Sequence, residues 1–217
     1  DLTMATNSMK IGAAVVGGAA LVGAAFWAGN SMVDSPKKAA SGTATSSGPT
    51  TSATSAPAAL VEFRADRGGW AISYPQSWNR LQSSDADVPL VVAEKSPEAN
   101  QGGSILARTL TLAAPVDESK LPAGREITDK IVTGGEGVQL LAQPTVIHQA
   151  GLPGYFYFYS FKDPASGQEG AHTHYFLFKG PTMISFVFQA LPKEDFQGLA
   201  KLFDEVIATF RVIPPGG

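Results

Sequence analysis

The sequence predicts an α+β protein, an α/β/α sandwich built on a central antiparallel sheet with a long C-terminal helix, preceded by a single N-terminal transmembrane helix. Three observations carry this. Residues 11–28 hold no polar side chain, residues 39–59 are all small and uncharged, and from position 60 onward apolar runs alternate with Gly and Pro punctuation. The averages agree. With 44% hydrophobic and only 16% charged residues among 217, the chain is too sparsely charged for one ordinary soluble domain, so the excess must be localised. It has no cysteine, which removes disulfides, thiolate metal sites, cysteine nucleophiles and a cysteine-linked lipid. A formal charge of −3 argues against a nucleic-acid partner, because duplex binding relies on clustered Lys and Arg.

After an N-terminal tail, 1–10, comes the apolar run IGAAVVGGAALVGAAFWA, bracketed by Lys10 and by Asn30, Ser31 and Asp34. Its eighteen residues span about 27 Å as a helix, just enough for a hydrocarbon core. Three readings compete: an uncleaved signal-anchor over 11–30, a cleaved secretory signal, and a buried soluble helix. The anchor is preferred, since Phe26 spoils the small-residue pattern that signal peptidase needs, and Trp27 lies where an interfacial aromatic sits. Ile11, Val15, Val16, Leu21, Val22, Phe26 and Trp27 are its large apolar side chains.

The segment 31–59 is a tether. From 39 to 59 it contains Ala, Ser, Thr, Gly and Pro alone, from which no core can be built, and a random-coil chain of that length reaches about 25 Å. Such a tether holds the C-terminal two-thirds of the chain close to a membrane, on the extracytoplasmic side.

The globular domain is assigned to 60–217. Segments 60–64 and 70–74 flank Arg67-Gly68-Gly69 as a first hairpin, and 88–94 and 104–112 are the next strands. A short helix is expected over 126–132, capped by Gly134 and Gly135. The stretch 138–148 reads as extended with a break at Pro144, and 154–162 (GYFYFYSFK) as a strand covered on both faces. Segments 171–178 and 183–190 flank Lys179-Gly180-Pro181 as a second hairpin. The last element is a helix with Pro192 in its first turn and Glu194 and Asp195 at its positive end. Phe196, Leu199, Leu202, Phe203, Val206, Ile207 and Phe210 recur at spacings of three and four and form the stripe that packs on the sheet.

Catalytic motifs do not emerge. There is no G-x-S-x-G elbow and no phosphate loop, and the carboxylate pairs sit in loops or on a helix's polar side. No catalytic residue and no cofactor is assigned, and the chain is read as a non-enzyme. One constellation stands out: His172 and His174, two apart on one strand and therefore on one face, with Glu169 just upstream. If a metal is bound these two are its ligands, although polar residues on a partly wet sheet face are the ordinary reading. The aromatic cluster of Tyr155–Phe161 with Phe176, Phe178, Phe186 and Phe188 reads as core rather than as a cavity lining.

Some segments resemble a known family. Gly69-Trp70-Ala71-Ile72-Ser73-Tyr74-Pro75-Gln76-Ser77-Trp78 resembles the opening of PsbP-like domains, in which a strand stops at Pro75 and Trp78 folds back over the core. Phe203-Asp204-Glu205-Val206-Ile207-Ala208-Thr209-Phe210-Arg211 is similar to the family's closing helix and tail, with Thr209 in place of Ser. VIHQAGLPGYFY, 146–157, resembles its strand pair, with Gly151, Pro153 and Gly154 at the turn. Such domains occur in extrinsic subunits of photosystem II, in the Mog-type Ran-binding protein and in LpqN-type envelope lipoproteins. The resemblance implies a sandwich that acts by binding. Lacking cysteine, this chain departs from the lipoprotein pattern, and the matching positions are structural, so no functional residue is carried over. The expectation is a single-pass membrane protein whose domain docks on a protein partner in a larger membrane complex. The alternative is an envelope module binding a lipid or small apolar ligand.

Overall fold

Leu60–Ala65 (β1) and Trp70–Pro75 (β2) pair antiparallel from Leu60 opposite Pro75 to Ala65 opposite Trp70, as the Gly68-Gly69 turn directs. The structure is a computed structural model that describes residues 58–95, 101–135 and 137–214. The expected anchor, 11–30, and most of the tether lie outside the described residues. Among the described residues no helix is long and apolar enough to cross a membrane.

The main sheet begins with Asn79–Arg80 (β3), Leu90–Ala93 (β4) and Gly102–Val116 (β5), each antiparallel to the next. Leu121–Thr133 (α1) follows, then Gln139–Leu140 (β6), Thr145–Gln149 (β7) and Leu152–Lys162 (β8). β6 and β7 lie along the same margin of β8, either side of the break around Pro144. Ala150 (φ 49) and Gly151 (φ 78) make the two-residue turn between β7 and β8, both in the left-handed region that such hairpin turns require.

Glu169–Leu191 (β9) is extended throughout, yet it is two arms. His172 Nε2 lies 2.8 Å from Gln189 Oε1, seventeen residues on, where a straight strand would put them about 56 Å apart. The chain doubles back at Lys179-Gly180-Pro181, with Gly180 at φ 58, so the expected hairpin forms. The first arm pairs with β8 from Glu169 opposite Lys162 to Leu177 opposite Gly154, and the second with β5 from Thr182 opposite Thr111 to Leu191 opposite Gly102. The sheet order is therefore β3-β4-β5-β9-β8, with β6 and β7 outermost.

The remaining elements are Phe196–Ala208 (α2) and Arg211–Val212 (β10). Three expectations need correction. The first hairpin does not join the main sheet: β1, β2 and β10 form a separate three-stranded sheet, because β10 pairs with β2 and pulls the chain end back. α1 starts five residues before the expected 126, since Pro122 suits a first turn and Leu121 adds a buried contact. The C-terminal helix is no longer than α1, thirteen residues each; Pro192 precedes a 3₁₀ turn, Lys193–Asp195, and does not sit in the helix. The α+β class and the layered arrangement stand.

Strand alternation sorts the core. On one face Ile105, Ile184, Phe186 and Phe188 meet Trp70 and Ile72 of the small sheet and Phe203, Val206 and Ile207 of α2. Trp70 crosses Phe186 at 5.2 Å and 83°, and Trp78 crosses Phe203 at 6.4 Å and 88°, so Trp78 does fold back over the core. On the other face Tyr155, Tyr157, Phe176, Phe178 and Met183 pack under α1. Gly154 is obligatory at its place: a Cβ there would run into the Phe176 carbonyl oxygen of the neighbouring strand.

Candidate functional site

β8 carries three tyrosines, Tyr155, Tyr157 and Tyr159, on the face beneath α1. The first two tie the helix down. Tyr155 donates to the Leu121 carbonyl at 2.9 Å, while Tyr157 donates to Asp129 Oδ1 at 2.7 Å and lies 2.6 Å from Thr128 Oγ1. Arg125 Nε completes the group, 2.7 Å from the same Asp129 oxygen. Burial disfavours the Asp129 charge, but the hydrogen bonds from Tyr157 and Arg125 outweigh it and hold the carboxyl below its ordinary range. Burial foremost pushes the Tyr157 hydroxyl far above its ordinary value, so this tyrosine stays a neutral donor.

Tyr159 belongs to a different set, beyond the part of the sheet that α1 grips. Its register partner across the sheet is His172, and His174 follows on the same face. Both rings are buried, at 4% and 1% exposure, where partly wet positions were expected. His172 stacks on Phe161 at 4.1 Å and His174 on Phe176 at 3.8 Å. The Tyr159 hydroxyl lies 3.1 Å from His172 Nδ1 and 3.3 Å from His174 Nδ1. His172 Nε2 meets Gln189 Oε1, so both nitrogens of that ring are engaged. Desolvation lowers the His172 pKa to about 4, and desolvation first, then the charges of His172 and Arg108, holds His174 well below its ordinary value. Both imidazoles are neutral at physiological pH.

The structure thus brings His172 and His174 onto one face, as their spacing requires, but it surrounds them with hydrogen-bonding and ring partners. Glu169 does not join them. It is exposed and accepts a 2.8 Å hydrogen bond from Lys193. Among the described residues no cluster of three His, Cys, Asp or Glu converges on a common point. The strip also contains residues that sequence reasoning passed over: Arg108 of β5, whose Nη2 holds Asp85 at 2.9 Å, and Gln189. A signal was present, since Arg108 interrupts the otherwise apolar and hydroxylic run ILARTL in the middle of a strand. Beside Gln189 lies a recess of about 10 Å³, room for one water, lined in part by Lys95, Gln101 and Ser104.

The second feature is at the margin. Leu140, Leu141 and Val146 are 44%, 39% and 52% exposed, conspicuous in a domain whose other large apolar side chains are mostly packed. Leu140 sits opposite Tyr159 and Val146 opposite Tyr155, so both share the α1 face at the sheet's outermost strands. The stretch 138–147, VQLLAQPTVI, carries no charged residue. Among the described residues β6 and β7 pair only with β8, which leaves their outer backbone edge open. An uncharged, open edge is what soluble proteins usually protect with Lys, bulges or cover.

No protein-family model matches the chain, and no curated protein matches it in sequence. Solved structures do match. The domain is similar to the cyanobacterial PsbP of Synechocystis sp. PCC 6803, with a TM-score of 0.53 and 15% identity over 76% of this chain and 98% of that one. The fold is PsbP-like. At 14% identity and a TM-score of 0.50 it is also similar to LpqN, a protein involved in cell envelope biogenesis of Mycobacterium tuberculosis, over 71% of this chain and 92% of that one. In this PsbP-like domain the motif residues Trp70, Ile72 and Trp78 are all core, which agrees with reading them as structural. Neither the polar strip nor the β6–β7 margin coincides with the opening or closing motif.

Proposed function

We propose that this protein is a non-catalytic, membrane-anchored accessory protein whose PsbP-like domain docks, on the extracytoplasmic side, on a protein of a larger membrane complex through its β6–β7 margin. The single observation that supports the docking surface is the open, uncharged edge bearing Leu140, Leu141 and Val146. Apolar side chains grouped on an unpaired edge suit addition of a partner's strand or burial against a partner's apolar surface. The membrane part of the reading rests on the eighteen apolar residues at 11–28 and the short tether behind them. A lipid between sheet and α2 fits less well, because Trp70, Phe186, Phe188 and Phe203 fill that space with ring-to-ring contacts of 5.2 to 5.3 Å. Detergent solubilisation and affinity capture through the C-terminus tests it. The native chain brings down one membrane protein at fixed stoichiometry, and a Leu140→Asp/Val146→Asp variant loses it. Capture of the chain alone, or equal recovery with the variant, refutes docking at this edge.

A further inference from the structure

The hydrogen-bond roles in the polar strip are set from one fixed end. Gln189 presents its carbonyl oxygen to His172 Nε2, so that nitrogen carries the proton. A neutral His172 must then accept at Nδ1, and the Tyr159 hydroxyl, 3.1 Å away, donates to it. The Tyr159 oxygen is left as acceptor for His174 Nδ1–H at 3.3 Å. His174 Nε2 is thereby a bare acceptor, and it is buried without a partner among the described residues. A second buried atom shares that condition, Arg108 Nε, which is always a donor. Register places both on one face: Arg108 is opposite Ser185 on the second arm of β9, and His174 lies on the first arm, two strands from β5. The Arg108 charge is near enough to bear on His174.

We propose that one internal water molecule is bound between Arg108 Nε–H and His174 Nε2, accepting from the first and donating to the second. An anion does not suit the place, because it would meet the lone pair of His174 Nε2; water supplies the acceptor and the donor that the two atoms demand. With it the strip becomes one unbroken chain, from Asp85 at the surface through Arg108, the water, His174, Tyr159 and His172 to Gln189 at the wall of the small recess. The chain fixes the two histidines as opposite tautomers and ties β5, both arms of β9 and β8 together across their faces.

Side-chain nitrogen NMR of the full chain in detergent micelles, with water cross-relaxation read at the His174 ring protons, tests this at neutral pH. The proposal requires His172 protonated at Nε2, His174 protonated at Nδ1, and a long-lived water cross-peak at His174 that disappears in Arg108→Met. His174→Phe gives a second check, because the replacement keeps the stacking on Phe176 and removes the acceptor; a water cross-peak read at Arg108 Nε–H should then vanish as well. Identical tautomers in the two rings, a proton on His174 Nε2, or no water signal in the native chain overturns the proposal, as does a water signal that survives Arg108→Met unchanged.

Discussion

At the scale of single residues, the buried histidines set a pH dependence whose sign is fixed. Each is neutral in the folded protein and titrates normally when unfolded, so the unfolded chain binds more protons once the pH falls below about 6.5. Stability is therefore full above that pH and declines as pH falls toward 4, where His172 itself protonates, at a cost of roughly 3 kcal/mol from this residue. Arg108 on β5 adds to the penalty for charging His174, and Tyr159 on β8 offers no compensating charge. Urea unfolding at pH 7 and pH 5 should show the loss in the native chain and much less of it in a His172→Gln/His174→Phe variant; equal losses would contradict the neutral assignment. Tyr157→Phe should cost about 1–2 kcal/mol by thermal or urea unfolding, because it removes the donor to Asp129 and one of the two hydrogen-bond contacts of the Thr128 hydroxyl. The spacing of His172 and His174 correctly placed both on one face. Their burial was not legible, since it depends on Tyr159, Phe161 and Gln189, which come from other strands or the other arm and leave no local trace in the sequence.

At the scale of elements, legibility tracked the strength of local pattern. β8 and both arms of β9 were readable from long aromatic runs and from a turn that needs Gly180. The start of α1 was not, because Pro122 and Gly124 read as breakers, whereas Pro122 sits where its missing N–H costs nothing and Gly124 lets the helix approach the Phe178 ring. β10 is two residues long, too short for any periodicity, and exists through its pairing with Trp70 and Ala71. The same distinction between local pattern and tertiary support predicts opposite outcomes for two substitutions. Gly154→Val, in the interior of β8, should prevent folding or lower the melting temperature by well over 10 °C, because the side chain collides with neighbouring backbone. Val146→Asp, on the exposed β7, should leave stability within about 0.5 kcal/mol of the native chain. A large loss from Val146→Asp would mean that this edge is part of the fold and not a free surface.

At the scale of the whole molecule, the layered α+β plan was readable because each long element has one apolar stripe that must be covered. The division into two sheets was not, since it is decided by the C-terminal return of β10 onto β2, a contact that joins the two ends of the domain. The composition that first suggested an anchor and a tether leaves a domain whose two apolar faces are closed by α1 and by α2 with the small sheet, and whose β6–β7 margin is covered by none of the described residues. Membrane attachment and docking are separable here. Alkaline carbonate extraction of the native protein should leave it in the pellet, and release as a shortened form beginning near Ser31 would rule out an uncleaved anchor. Docking is tested most directly by placing a photo-crosslinking residue at Val146 in the full chain, in its own membrane, with the same residue at Lys201 on the outer side of α2, 89% exposed, as the control. The account predicts one discrete adduct with a single membrane protein from position 146 and none from position 201; no adduct at 146, or the same adducts from both positions, would contradict it.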